Sequence, residues 1–126
     1  MSQLTLKLIK ENLAIHSLAP NSTIPENVFK ADIFFIAKTY EEISIVIPQS
    51  ISINSDEVEK DWRALEVVGP LGFNLTGILS NISTVLANEK ISIFAISTFD
   101  TDYILVKENT LTSAIQALRT SQYSVI

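Results

Sequence analysis

The alternation of strand-like and helix-like patterns in the second half of the chain limits its fold most. Apolar residues recur at spacings of three and four from Leu75 to Leu86, which is typical of one face of an amphipathic helix. A second such stripe runs from Leu111 to Leu118. Residues that favour strands make up four further segments, 63–68, 91–97, 103–107 and 123–126. The order β-α-β-β-α-β predicts an α+β, ferredoxin-like unit, with two helices on one face of a four-stranded antiparallel sheet.

The first half of the chain follows this pattern in a shortened form. One short helix is predicted over residues 25–30, because proline suits the first turn of a helix. The polar segment 54–61 is interpreted as a solvated linker or a short exposed helix. Strands are predicted at residues 4–10, 14–18, 32–39 and 43–47. We therefore predict two ferredoxin-like units, a shortened one at residues 1–58 and a complete one at residues 59–126.

Composition excludes several classes of function. The 126 residues include no cysteine and one histidine, which excludes a disulfide scaffold, a thiolate zinc site and a multi-histidine metal site. The net charge of −5 argues against binding to a phosphate backbone, which needs a basic surface. No apolar stretch approaches the roughly 20 residues that span a bilayer. We expect a cytoplasmic protein with no nucleic-acid partner, no membrane association, no metal and no cofactor.

All three glycines, Gly69, Gly72 and Gly77, lie within nine residues at the junction of a predicted strand and the helix predicted from Leu75. Such permissive backbone indicates a tight turn or a close approach to another molecule. The first amides of a helix favour an anion such as a carboxylate or a phosphate. Gly77 is predicted inside the first helical turn, where it costs about 1 kcal/mol relative to alanine. Spacing alone leaves ligand binding and tight packing of the helix on the sheet equally open, and it fits no known nucleotide-binding pattern.

Two acidic residues, Asp100 and Asp102, stand in a predicted turn and are two positions apart, so an extended chain directs them to the same side. A carboxylate pair suits a divalent cation or acid–base chemistry, but neither a third acid nor a histidine stands nearby. Asp100 is interpreted as a turn former. Asp102, beside the rings of Phe99 and Tyr103, is suited to receive an ammonium group.

Two further residues are assigned structural roles. His16 lies in a predicted strand and is interpreted as a structural or exposed histidine rather than a catalytic one. Trp62 is interpreted as the anchor of the following strand rather than a surface on which a ligand stacks. Neither residue enters the predicted site.

The motifs of the second half resemble those of small bacterial proteins that carry two tandem ACT-like domains. The matching segments are WRAL at 62–65, GPLGF at 69–73, LTGIL at 75–79 and the whole of 91–107. The likeness covers residues 62–118. The first half is similar only in outline, at 14–18, 24–25 and 42–46. This family is related to the ACT domains of aspartokinase and of the animal cytosolic arginine sensors.

The resemblance implies a βαββαβ module that binds a small effector, often an amino acid, at a domain or subunit interface. It implies that the loop 72–77 supplies main-chain groups to the effector and that Asp102 faces the same cleft. Arginine-sensing relatives have acidic residues where Asn74 and Leu75 stand, which argues against arginine and favours a smaller or less polar amino acid. The residues expected to bind the ligand are Gly72, Phe73, Asn74, Leu75, Gly77, Ile78, Thr98, Phe99 and Asp102.

The predicted function is therefore that of a non-enzymatic regulatory or sensor protein that binds an amino acid. In this interpretation the loop receives the α-carboxylate, Asp102 the ammonium, and Phe99 with Ile78 part of the effector's side chain. The alternative is a structural or protein-interaction module without a ligand, which assembles through its sheets. Both hypotheses predict a homodimer or a higher homo-oligomer, because exposed edge strands need partners.

Overall fold

The computed structural model describes residues 4–68 and 77–126, which form an α+β structure. Two short 3-10 helices, Glu26–Lys30 and Glu108–Thr110, accompany the longer elements. The helices of the described residues are α1 (Ile78–Asn88) and α2 (Leu111–Thr120). The strands are β1 (Thr5–Leu8), β2 (Leu13–Leu18), β3 (Phe35–Lys38), β4 (Ile43–Pro48), β5 (Glu57–Val68), β6 (Phe94–Ser97), β7 (Asp102–Lys107) and β8 (Ser124–Val125).

The chain divides into two compact units. The discontinuous unit consists of Met1–Lys10 and Arg63–Ile126, and the continuous unit consists of Glu11–Trp62. The predicted domains, 1–58 and 59–126, differ from these limits chiefly in the place of the first strand. That strand belongs to the discontinuous unit because β1 pairs with β5 and β8.

The discontinuous unit contains the predicted β-α-β-β-α-β order, from β5 through α1, β6, β7 and α2 to β8. Its strands lie in the order β8-β1-β5-β7-β6. β1 is antiparallel to β5, with Leu6 opposite Val67, and parallel to β8. The predicted four-stranded antiparallel sheet is therefore wrong in one respect, because β1 inserts between β5 and β8 and makes the sheet mixed.

Both helices of the discontinuous unit pack on the same side of this sheet. Alternation along β5 and β7 directs every second side chain toward the helices. Each large apolar side chain that is fully buried there stabilises the fold by about 1.5–3 kcal/mol. The amphipathic stripes predicted for the helices supply the other half of the core. This core contains Leu6, Leu65, Val67, Ile82, Leu86, Ile91, Ile104, Val106, Ala114, Leu118, Tyr123 and Val125.

The continuous unit is an antiparallel sheet in the order β3-β4-β2-β5. The helix predicted at 25–30 is a single 3-10 segment that follows Pro25. Its buried Val28 joins a small apolar cluster, and an α-helix is absent from the described residues of this unit. The buried members of the cluster are Leu18, Val28, Ile43, Ile45 and Ile47.

Most of the polar segment 54–61 is a strand and not a linker or a helix. Residues 57–61 begin β5, a strand of 12 residues that runs from Glu57 to Val68. Their side chains are exposed, while their backbone pairs with β2, for example at Ser17 opposite Glu57. A strand whose side chains are all solvated lacks the apolar alternation by which strands are recognised in a sequence.

Asp61 interrupts β5 with a left-handed backbone conformation, φ +67°. The register between β2 and β5 shifts at this point, which makes it a β-bulge. Gln49 holds the bulge with two hydrogen bonds. Its Nε2 donates to Asp61 Oδ1 at 3.0 Å, and the backbone N–H of Asp61 donates to its Oε1 at 2.6 Å.

Candidate functional site

The start of α1 is the first part of the candidate site. Gly77 is the N-cap of the helix, with φ +80°, and its carbonyl oxygen accepts a hydrogen bond from the N–H of Asn81 at 2.9 Å. A side chain at Gly77 would meet no atom within 4 Å. The left-handed backbone, and not crowding, is therefore what favours glycine here. The prediction that Gly77 lies inside the first helical turn is wrong, because the helix begins at Ile78.

The first turn of α1 carries no acidic residue, and the N-cap makes no side-chain hydrogen bond to it within the described residues. The first amides of the helix therefore keep a partial positive charge that no side chain of the first turn or of the N-cap offsets. Ile78 is half-buried and packs against the core of the discontinuous unit. This end of α1 directly follows residues 69–76, so the predicted Gly72, Phe73, Asn74 and Leu75 lie outside the described residues.

The turn between β6 and β7 is the second part. The N–H of Thr98 donates to the carbonyl oxygen of Thr101 at 2.8 Å, and the N–H of Thr101 donates to Thr98 Oγ1 at 3.2 Å. The hydrogen bonds that close the turn thus involve Thr98, whereas the sequence analysis assigned turn formation to Asp100. Phe99 stands at the tip of the turn with 82% of its surface exposed.

Thr101 connects this turn to the end of β5 through a hydrogen bond. Its buried side-chain hydroxyl donates a hydrogen bond to the carbonyl oxygen of Val67. Val67 is the second-last residue of β5, so the turn is attached where the glycine-containing segment leaves the strand. Thr101 is not among the residues predicted from the sequence. The available signal was a threonine at a hairpin turn, where a hydroxyl readily bonds nearby backbone.

Asp102 is the first residue of β7 and lies directly opposite Ser97 of β6. Alternation places Asp102 on the same face as Ile104 and Val106, which belong to the core beneath the helices. The residue is half-buried, and its carboxylate Oδ1 accepts a hydrogen bond from the hydroxyl of the exposed Ser97 at 2.6 Å. The predicted acidic residue therefore lies on the helix side of the sheet, beside the fastened turn.

Tyr103 lies on the opposite face of the sheet from Asp102, because adjacent strand residues alternate. Its hydroxyl donates to Glu66 Oε2 at 3.3 Å. Burial raises the pKa of Tyr103, and the charge and hydrogen bond of Glu66 and the charge of Asp100 raise it further. The tyrosine therefore stays neutral and pairs with Glu66, and it is not the neighbour of Asp102 that the sequence analysis expected.

His16 and Trp62 are buried residues of the continuous unit's strands. The Nδ1 atom of His16 lies 2.7 Å from Ser55 Oγ, and that hydroxyl donates to the carbonyl oxygen of Glu57 at 3.1 Å. A hydroxyl has one hydrogen, so Ser55 accepts from His16 Nδ1. Burial, and secondly the charge of Lys60, lower the pKa of His16. These contacts agree with a structural histidine.

Metal chemistry has no geometric support in residues 4–68 and 77–126. No group of three or more histidine, aspartate or glutamate side chains there could hold an ion. The same described ranges contain no helix long and apolar enough to cross a membrane. The described part of the candidate site consists of main-chain amides, hydroxyls and one carboxylate.

A comparison with protein families matches the model of the ACT domain to residues 57–120. The chain belongs to the ACT-domain family. The matched range runs from the start of β5 to the end of α2 and contains both parts of the candidate site. The resemblance predicted from residues 62–118 is thereby confirmed.

Curated relatives of this ACT protein include subunit 1 of the cytosolic arginine sensor for mTORC1. The human protein is 38% identical over 76 residues, which are 60% of this chain and 23% of the sensor. The mouse protein is 37% identical over 84 residues, which are 66% of this chain and 25% of the sensor. The aligned part thus spans about a quarter of these relatives' length.

Solved structures place the whole chain among ACT-type folds. The protein Atu0741 from Agrobacterium tumefaciens has a TM-score of 0.85 and 29% identity, over 100% of this chain and 94% of that one. The ligand-free regulatory subunit of aspartate kinase from Thermus thermophilus has a TM-score of 0.65 and 11% identity, over 94% of this chain and 98% of that one. The second likeness shows the fold alone. In its described residues the ACT protein is accordingly α+β, with a mixed sheet and two α-helices.

Proposed function

We propose that this ACT protein is a non-enzymatic regulatory or sensor protein that binds an amino acid. The family and the likeness to a sensor and to regulatory subunits support a regulatory role over a catalytic one. One observation carries the choice of site. Asp102 lies on the helix side of the sheet, beside a turn fastened to the end of β5, from which the chain leads to the N-terminus of α1.

An α-amino acid carries a carboxylate and an ammonium a few ångströms apart, and this site offers one group for each. The first amides of α1 favour the carboxylate, together with main chain of the loop that includes Gly72, Phe73, Asn74 and Leu75. Asp102 receives the ammonium through a charge-assisted hydrogen bond. Thr98, Phe99 and Ile78 contact the effector's side chain.

The effector is a small or weakly polar amino acid rather than arginine. The planar N–H donors of a guanidinium pair best with carboxylates, and neither Asn74 nor Leu75 carries one. Arginine sensing is therefore a property of the mammalian relatives; this chain shares 38% identity with the human protein over the aligned part.

Assembly into a homodimer or higher homo-oligomer completes the proposal. Edge strands need partners, and Phe99, an aromatic residue with 82% of its surface exposed, suits a contact with a second copy. The proposed architecture is a pair of ferredoxin-like ACT units, of which the continuous one is shortened and has a 3-10 segment where an α-helix is expected. The protein is proposed to act in the cytoplasm.

A thermal-shift screen of the twenty common amino acids tests this function. Binding to the folded state alone stabilises by RT ln(1 + [L]/Kd), about 2.7 kcal/mol at a hundredfold excess over Kd. A shift in Tm on the order of 10 °C follows for a domain of this size. Asp102→Asn is expected to abolish the shift and Asp100→Asn to retain it, which makes the neighbouring exposed aspartate a matched control. No shift with any amino acid at millimolar concentration contradicts the proposal and favours the ligand-free interaction module.

A further inference from the structure

We propose that Ser97 is a positioning residue that orients Asp102 and makes the site selective for a primary ammonium. This inference rests on the proposed function, because it concerns the way in which the same site recognises its effector. Ser97 was part of the matched motif but was not among the residues predicted to bind the ligand.

The geometry of the pair is direct. Ser97 and Asp102 are cross-strand partners of β6 and β7, so their side chains leave the sheet on the same face. Ser97 Oγ lies 2.6 Å from Asp102 Oδ1, a length typical of a hydroxyl that donates to an ionised carboxylate. An ionised carboxylate only accepts, which fixes the direction of the bond.

This bond makes the two oxygens of the Asp102 carboxylate inequivalent. Oδ1 is engaged by Ser97, and no other hydrogen bond to Asp102 is present within residues 4–68 and 77–126. Oδ2 is thus the oxygen left for an effector. Because Ser97 also fixes the side-chain torsions of Asp102, an incoming cation meets an oxygen that is already oriented, and less conformational freedom is lost on binding.

The division has a consequence for specificity. A guanidinium binds a carboxylate best through two parallel N–H bonds, one to each oxygen, whereas an ammonium is a compact point charge that needs only one. Ser97 already donates to Oδ1, so a guanidinium that binds both oxygens has to compete with the serine hydroxyl. The pair therefore favours an α-ammonium over an α-guanidino group in the same position.

The test compares wild type with Ser97→Ala, Ser97→Thr and the exposed control Ser92→Ala. The probes are the twenty common amino acids and, for each one that binds, the acids in which a hydroxyl or a guanidino group replaces the ammonium. Calorimetry is expected to show that Ser97→Ala lowers the ratio of amino-acid to hydroxy-acid affinity about tenfold, the scale of one charged hydrogen bond. The same variant is expected to lower the ratio of amino-acid to guanidino-acid affinity. Ser97→Thr keeps the hydroxyl, and both affinity ratios are expected to equal those of wild type.

The outcomes separate this inference from the function on which it rests. If wild type binds none of the amino acids, the proposed function fails and this inference fails with it. If wild type binds but Ser97→Ala leaves both ratios unchanged, or weakens all probes equally, Ser97 is only structural and the function stands.

Discussion

The side-chain hydroxyl of Thr101 donates a hydrogen bond to the backbone carbonyl oxygen of Val67. Both residues are buried, so neither group has water as a ready substitute. The bond joins the β6–β7 turn to the end of β5, next to the segment that leads into α1. The Thr101 side chain therefore adds a second link between the turn and β5, beside the pairing of β7 with β5 in the sheet.

Thr101→Val tests this dependence, because valine keeps the shape and removes the hydroxyl. The Val67 carbonyl loses its hydroxyl donor, and we expect the free energy of unfolding to fall by about 1–3 kcal/mol. Thr112→Val, on the exposed side of α2, is the matched control and is expected to change it by less than about 0.5 kcal/mol. Urea unfolding gives both values, and equal values for the two variants would contradict the role of Thr101.

Gly77→Ala tests the left-handed backbone at the start of α1. Space is available for the new methyl group, so any cost comes from the positive φ. We expect a loss of about 1 kcal/mol, since a left-handed L-residue costs roughly 1–2 kcal/mol and the stiffer unfolded chain offsets part of it. Gly77→Asn is expected to lose less, because asparagine tolerates this conformation. An asparagine variant that is less stable than the alanine variant would show that the backbone is not the cause.

Gln49→Ala tests the clamp on the β5 bulge. The variant removes both hydrogen bonds to Asp61, and we expect a loss of about 1–2 kcal/mol in the free energy of unfolding. Asp61→Asn keeps an acceptor for Gln49 Nε2 and a residue type that tolerates positive φ, so it serves as the near-neutral control. A Gln49→Ala variant as stable as Asp61→Asn contradicts the clamp.

His16 predicts a pH dependence of stability. Burial and Lys60 lower its pKa in the folded state, so the unfolded chain, with a pKa near 6.5, binds the proton more tightly. Its contribution is therefore complete above about pH 6.5 and is lost as the pH falls below that value. His16→Asn, which keeps a donor near the position of Nδ1, is expected to flatten the loss between pH 7 and pH 5. Parallel pH profiles for the two proteins would contradict the assignment.

Much of the fold follows from the sequence because the second half has strong periodicity. The stripes from Leu75 and Leu111 predicted the helices that form α1 and α2, and the paired β-rich runs predicted β6 and β7. The insertion of β1 beside β8 was not predictable in this way. Local patterns indicate which segments are strands, whereas the pairing of distant strands depends on tertiary packing.

Two local errors have the same physical origin. Residues 57–61 carry exposed polar side chains but form the start of β5, because pairing with β2 satisfies their backbone. Gly77 was expected in a helical turn, yet the helix begins one residue later. In both places the backbone conformation determines where the element begins, and the side-chain pattern does not indicate it.

The candidate site was predictable only as far as residue type allowed. The acidic residue at 102 and the turn beside it followed from the motif, but the partners of Asp102 did not. Ser97 and Thr101 gain their roles from cross-strand register and from contact with a strand more than thirty positions earlier in the chain. Such contacts exist only once the sheet has formed.

The central claim, that an amino acid binds between the start of α1 and the β6–β7 turn, is tested most directly by a titration followed by NMR. The ¹⁵N-labelled protein is titrated with each amino acid that raises Tm, and the backbone amide shifts are recorded. We predict saturable changes concentrated at residues 77–80 and 97–102, which are absent in Asp102→Asn and retained in Asp100→Asn. Saturable changes confined to other residues, or none at all, contradict the claim.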